Sequence, residues 1–351
     1  MIKKSLFGQL NDGREVFLFM LANKHGIKIN IINYGAILTN LFVADRNSKI
    51  DDIVLGYDSL EGYLNDKAFI GSIVGRYGNR IAKGKFKING KEYNLNLNDG
   101  KNHLHGGIKG FNKFLWDAEP VEGISENSVR LTCLSPDGDE GYPGNVKLEV
   151  TYTLNNENEL GIKYEGTTDK TTVLNPTHHS YFNLSGNFNN TIIDHKIQID
   201  ADAFLPVDNG QIPIGRIEKV DNTPMDFRNS IPVGLHLTDK FEQLEYGNGY
   251  DHNWVLNNFN GEVRKVAAVL EPSSGRFMEV FTDQPGIQFY SGNSLDENVT
   301  GKKGKKLKFR SGLCLEAQFF PDSPNQPSFP STILNPGEIY RQKTIYKFSV
   351  K

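Results

Sequence analysis

Residues 146–164 read VKLEVTYTLNNENELGIKY, and their spacing decides the fold class. Val146, Leu148, Val150, Tyr152 and Leu154 alternate with polar positions, the period of a strand with one buried face. After the turn NNEN at 155–158 the alternation resumes at Leu160, Ile162 and Tyr164, so the segment reads as a β-hairpin. A second hairpin is expected at 86–97, FKINGKEYNLNL, because Asn89-Gly90 is the pair that tolerates positive φ at both central positions of a tight turn. Further strand signals lie at 27–32, 195–199, 276–281 and 287–290. Long helical periodicity is absent, and the single helix expected is a turn or two at 59–65. The chain is therefore expected to be all-β.

A length of 351 residues ordinarily suggests two domains. No Ser/Gly tract or composition shift divides this chain, however. The segment PDSPNQPSFP (321–330), with prolines at three-residue spacing, favours an extended stiff loop and would serve as a linker. Strand patterns close on either side, in 311–320 and 337–350, make it a structured loop instead. No repeat of fixed period is present, which disfavours a propeller. The expectation is one domain, 1–351, built as a large antiparallel β-sandwich.

With 38% hydrophobic and 23% charged residues, the chain has the composition of a soluble globular protein. Lys plus Arg is 39 and Asp plus Glu is 42, a net charge of -3, so no global field gathers nucleic acid or anionic lipid. The longest apolar run, Val16 to Ala22, falls far short of the roughly 18 residues of a membrane span. The start, MIKKSLFGQLNDGRE, lacks a signal-peptide core; a cytoplasmic location is expected, although a mature secreted chain would read the same way. The one basic run, Lys302 to Arg310, reads as a solvated loop, with phosphate contact as the alternative. Two cysteines, Cys133 and Cys314, suit free thiols in a reducing compartment.

Histidine is the informative residue. His103 and His105 stand in NHLHGG, His178 and His179 in THHSYFNL, and His252 in DHNW. If HHSYFNL is extended, His179, Tyr181 and Asn183 share one face and His178, Phe182 and Leu184 the other. His179 then faces a polar cavity and His178 the core. A satisfied structural histidine is the plain alternative for each. The same phase in SGLCLEAQFF (311–320) packs Leu313, Leu315, Ala317 and Phe319 and leaves Cys314, Glu316 and Gln318 opposite. A carboxylate centred in an apolar strand is expensive unless it is used or paired, so Glu316 is either functional or bound to an arginine. Gln288 and Tyr290 likewise share a face, opposite Ile287 and Phe289.

Three chemistries compete for these residues. A cupin-type metal site would explain His103 and His105 as alternate strand residues, but the expected nearby glutamate is missing. A serine hydrolase needs a G-x-S-x-G elbow, and none occurs. A carboxylate with a histidine in a polar site supplies one base and one acid, which reversible proton shuttling requires.

Nine motifs together carry a resemblance: GRYGNRIAKGKF (75–86), NHLHGG (102–107), GFNKFLW (110–116), DGDEGYPGNV (137–146), HHSYFNLSG (178–186), DHNWVL (251–256), QPGIQFYSGN (284–293), LEAQFFPDSPN (315–325) and LNPGEIYRQKTIYKF (334–348). In this order they resemble the aldose 1-epimerases, or galactose mutarotases. The resemblance implies a β-sandwich with an open carbohydrate-binding cleft, where the α and β anomers of aldohexoses interconvert without cofactor or metal. It implies Glu316 of L-E-x-Q as the base and His179 before S-Y-F-N-L as the acid. His105, Asn79, Arg80, Asp251 and Gln288 are implied as sugar-binding residues. Two positions depart from the family pattern: Gly78 replaces the commoner alanine, and His178 stands where asparagine is usual.

Reference pKa values of about 4.3 for Glu and 6.5 for His leave Glu316 ionised near pH 7, with His179 needing an upward shift that Glu316 is expected to supply. Two other readings keep the fold. One is a non-catalytic sugar-binding protein, which has no use for the Glu316 and His179 pair. The other is a hexose-phosphate epimerase that uses the lysine run from Lys302 as its anion site. The expected partner is a small aldose sugar, with no nucleic acid or membrane, for a monomer or homodimer.

Overall fold

The computed structural model describes residues 2–123 and 126–351. Its largest element is a nine-stranded sheet in the order Asp117–Glu122, Glu126–Ser135, Val146–Asn155, Glu159–Thr168, Tyr340–Val350, Arg276–Thr282, Arg264–Leu270, Lys196–Ile199 and Ile231–Pro232. Neighbouring strands are antiparallel throughout. The hairpin at 146–164 forms its centre with Val150 opposite Tyr164 and Leu154 opposite Leu160, so all the alternating apolar residues fall on one buried face.

Two five-stranded antiparallel sheets complete the sandwich. One runs Ile2–Gln9, Glu15–Ala22, Lys28–Ile32, Ile37–Ala44 and Ile50–Asp52. The other runs Glu218–Lys219, Ala203–Leu205, Asp251–Val255, Gly286–Tyr290 and Cys314–Gln318. The second sheet lays Ile287, Phe289 and Leu315 against the large sheet in a shared core with Tyr346 and Val280. Two polar ties fix that packing: Tyr346 Oη donates to the Leu315 carbonyl at 3.1 Å and Gln342 Nε2 to the Ala317 carbonyl at 2.9 Å. Alternation then turns Cys314, Glu316 and Gln318 away from the large sheet.

The local signals resolve as their chemistry requires. Asn89 and Gly90 take φ of 51° and 79° in the hairpin Lys85–Ile88/Lys91–Asn94. The short helix is Leu60–Leu64, capped by Ser59, whose hydroxyl accepts from Gly62 N. A second short helix, Glu242–Gly247, carries no apolar periodicity strong enough to have been expected. The proline segment is anchored in the fold by Pro321, Asp322, Ser323 and Phe329, which are buried, while Asn325, Pro327 and Ser328 are exposed. Asp322 N donates to the Arg80 carbonyl and Asp322 Oδ1 accepts from Ala82 N, both at 2.9 Å, so this loop braces residues 80–82.

Lys302 corrects the reading of the basic run as a solvated loop. It is buried, and its Nζ donates to Asp52 Oδ2 at 2.6 Å and to the Val54 carbonyl at 2.8 Å. Neither periodicity nor composition marks a lysine that closes a buried ion pair 250 residues away in sequence. Both cysteines are free and buried. Among the described residues no helix is long and apolar enough to cross a membrane.

Candidate active site

The outward face of the second five-stranded sheet is organised by register. Asp251, Tyr290 and Cys314 lie opposite one another in one row, and Asn253, Gln288 and Glu316 in the next. Directly opposed residues of antiparallel strands project to the same face, so three carboxylate or amide side chains converge without any loop being needed. Gln288 Nε2 donates to Asp251 Oδ1 at 2.7 Å. Glu316 is 2% exposed, with Oε1 3.7 Å from His179 Nε2 and Oε2 buried without a partner. A buried carboxylate oxygen without a protein donor is costly, and this one is free to accept from a hydroxyl.

His179 comes from a segment that is extended but hardly a strand. Only Thr177–His178 pairs, with Ile73–Val74, and the chain then continues by isolated bonds such as His179 N to Ser72 O at 2.9 Å. The facing still alternates. His178 sits in the core between the rings of Tyr152 and Tyr346 and bonds Ser180 Oγ, whereas His179 lies beside Tyr181 and Tyr290. Asn183 does not line the cavity with His179 and Tyr181. Its Nδ2 is used on the carbonyls of Asn190 and Ser311, which secures a loop.

The opposing wall is made by two segments locked to each other. Arg80–Ile81 pairs with His103–Leu104, and His105 N donates to the Asn79 carbonyl while Asn79 N donates to His105 Nδ1. Both Asn79 and His105 take positive φ, 59° and 51°, which swings His105 toward the cavity. Gly106 follows because a Cβ there would lie 1.7 Å from the Gly75 carbonyl oxygen. His103 turns away, bonding Asn96 O and Tyr142 Oη, and is structural. The DGDEGYPGNV motif explains itself here: Glu140 accepts from Ile108 N and Lys109 N, both at 2.9 Å, and pins the loop that carries His105. Arg80 bonds Asp99 through Nε at 2.7 Å and faces Asp251 through Nη1 at 3.8 Å.

These walls enclose a cavity of about 950 Å³ that Asn79, Arg80, His105, His179, Asp251 and Glu316 all line. Gln288 lies behind Asp251, bonded to it. Two contributors escaped the sequence reading. Phe69 places its ring 4.7 Å from that of His105, at a φ of 57° that Asp66 and Ser72 hold in place through Ile70 N and the Phe69 carbonyl. Gln211 reaches in from a turn at 208–212. Neither has a patterned neighbourhood, since a positive φ at a bulky residue leaves no periodic trace.

Electrostatics correct one expectation outright. Burial pushes the Glu316 carboxyl well above its ordinary range, with Asp251 adding and Arg80 opposing. Burial also lowers His179 to about 4, with its own backbone carbonyl opposing. The upward shift of His179 expected from Glu316 is not found: withdrawing both groups from water penalises both charges at once. Burial therefore favours a proton shared by the pair on the carboxyl over the imidazole. Burial raises Asp251 as well, offset by Arg80 and Gln288.

The ligand atoms of His105, His179 and Glu316 lie within 4.8 Å of one another, close enough to hold a metal ion. The carboxylate missing from the sequence neighbourhood of His105 is thus supplied in space by Glu316. The tautomer opposes metal binding. With Nδ1 of His105 accepting from Asn79 N, the ring proton sits on Nε2, which is then a donor with no lone pair to offer. Such a ring suits a sugar oxygen.

A sequence model of the family described as aldose 1-epimerase matches residues 18–347. The chain belongs to the aldose 1-epimerase family. It is 45% identical over 349 residues to the galactose mutarotase of Bos taurus, covering 99% of each chain. The aldose 1-epimerase of Escherichia coli K12 is 36% identical over 340 residues, 96% of each. Among solved structures, the galactose 1-epimerase of Lactobacillus acidophilus superposes with a TM-score of 0.87 at 30% identity, covering 100% of this chain and 99% of that one. The galactose mutarotase-like sandwich expected from the sequence is thus the fold of this aldose 1-epimerase.

Both family departures have a place in the structure. A Cβ at Gly78 would approach Thr177 Cγ2 at 2.9 Å and the Asn175 carbonyl at 3.0 Å, so the commoner alanine is crowded here. His178 is held in the core by burial at a pKa of about 3, uncharged and facing away from the cavity.

Proposed function

We propose that the cavity binds an aldohexose such as galactose or glucose and that Glu316 and His179 interconvert its α and β anomers. The observation that carries this reading is the buried, partnerless Glu316 Oε2 beside a histidine 3.7 Å from the other carboxylate oxygen. In the productive arrangement Glu316 is ionised and His179 protonated. Glu316 takes the proton of the C1 hydroxyl, the bond from C1 to the ring oxygen breaks, and His179 gives its Nε2 proton to that oxygen. Rotation about C1–C2 turns the other face of the aldehyde to the hydroxyl. Reversal of both transfers then closes the opposite anomer.

Ring opening converts a charged Glu316/His179 pair into a neutral one. A low-dielectric site favours that neutral arrangement, so the burial that reverses the resting proton positions also stabilises the open-chain stage. Asn79, Arg80, His105, Asp251 and Gln288 hold the sugar hydroxyls directly or through one another. The whole chain, 1–351, acts as one domain in this reading, in the cytoplasm, as monomer or homodimer.

A binding protein on this fold gains nothing from a buried acid and base facing each other. The hexose-phosphate reading loses its support because no residue of 302–310 lines the cavity. Polarimetry decides the matter. Protein dialysed against a chelator is expected to accelerate the approach of fresh α-galactose or α-glucose to its equilibrium rotation as well as untreated protein does. Loss of the rate on dialysis, with recovery on adding zinc or manganese, would favour the metal reading.

A further inference from the structure

Gln211 belongs to none of the motifs that carry the family resemblance, yet its amide lies between two of the residues assigned to the sugar. Its Oε1 accepts from Arg80 Nη2, and its Nε2 donates to Asp251 Oδ2 at 3.3 Å and to the Tyr246 carbonyl at 3.4 Å. The turn that delivers it is rigid. Asp208 Oδ1 accepts from Gly210 N and Ile212 N at 2.8 and 3.1 Å, Asn102 Nδ2 donates to the Gly210 carbonyl, and Gln211 itself takes a φ of 60°.

The spacing of the charges is the telling feature. Arg80 Nη1 and Asp251 Oδ2 stand 3.8 Å apart, whereas a guanidinium and a carboxylate left to themselves in a half-dry site close to about 2.8 Å, usually through two parallel bonds. Here each charge is held elsewhere as well, Arg80 by Asp99 and Asp251 by Gln288. The neutral amide takes one donor from the arginine and one acceptor from the aspartate. We infer that Gln211 is a positioning residue that keeps Arg80 and Asp251 as two separate hydroxyl-binding groups instead of one closed ion pair.

This rests on the proposed function, in which Arg80 and Asp251 bind the sugar. It predicts where the effect of a substitution falls. No bond joins Gln211 to Glu316 or His179, so its loss acts on sugar binding and leaves the proton transfers intact.

The test is steady-state mutarotation of galactose by the full chain and by two variants, with thermal unfolding read on the same samples. Gln211→Met keeps the length and removes the hydrogen bonds to Arg80, Asp251 and Tyr246. Gln211→Glu keeps an acceptor for Arg80 and removes the donor to Asp251. Both are expected to raise KM roughly tenfold, the scale of one hydrogen bond to a charged group, with kcat within about twofold and unfolding unchanged. A KM within about twofold of wild type in either folded variant overturns the inference, as does a fall in kcat equal to the fall in kcat/KM. A wild-type protein inactive on every aldohexose tried would instead remove the functional reading, whatever the variants do.

Discussion

Glu316→Gln is expected to lower kcat by roughly 100- to 10,000-fold while sugar binding stays within a few fold. The amide keeps the shape of the carboxyl group and the register of Gln288 opposite position 316, so the cavity wall is preserved. What it lacks is a basic oxygen for the C1 hydroxyl proton. Binding is spared because the hydroxyl contacts lie on other segments, at Asn79, Arg80, His105 and Asp251. Polarimetric rates with galactose, set beside its calorimetric affinity, check the split. Retention of more than about a tenth of the wild-type rate would take Glu316 out of the role, given the contribution expected of a positioned base.

The second large effect is the pH profile of His179→Asn. In the wild-type protein kcat/KM is expected to be bell-shaped, because only the form holding one proton between Glu316 and His179 can act. With His179 lowered to about 4, the acid limb falls near that value, where the pair takes its second proton and loses its base. The alkaline limb falls at the raised carboxyl value, where the pair gives up its last proton. That order reverses the one reference pKa values give, in which the acid limb reports the carboxylate. The limbs belong to the coupled pair, and the mutant assigns them. With the imidazole gone only Glu316 titrates, so activity rises with pH through the raised carboxyl value and has no alkaline limb. The rate also falls roughly 100- to 10,000-fold at every pH. An unchanged alkaline limb would show that another group donates the proton, His105 first among them, its ring 5.0 Å from that of His179.

What the sequence made legible was whatever a two-residue period encodes. Alternation placed Glu316, Gln288 and Cys314 on one face and Leu315, Ile287 and Phe289 on the other, and the structure keeps that division. The residue pair Asn89-Gly90 marked its turn because few side chains accept its backbone. Two features that depend on neighbours were read otherwise: Asn183, placed on the face of His179, serves a loop, and Lys302, placed in a solvated loop, closes a buried pair with Asp52. Both are set by segments distant in sequence, which no local pattern records. His105 shows the same limit from the other side. Its motif was visible, but the positive φ that separates it from His103, and the Asn79 N–H that fixes its tautomer, exist only once the two segments meet. The proton positions were illegible for a related reason. Burial is a property of the assembled cavity, and it sets the direction of both shifts where the pairing of Glu316 with His179 suggests Coulomb attraction.

Opening and closing an aldose ring by moving protons between oxygens and two side chains leaves every carbon-bound hydrogen in place. Proton NMR of freshly dissolved α-galactose in D₂O, with and without the wild-type protein, tests it most directly. With the protein, the two anomeric signals are expected to approach the same equilibrium ratio faster, with full intensity kept at H1 and H2. Deuterium entering C2, or anomers that equilibrate no faster than in buffer, would contradict it.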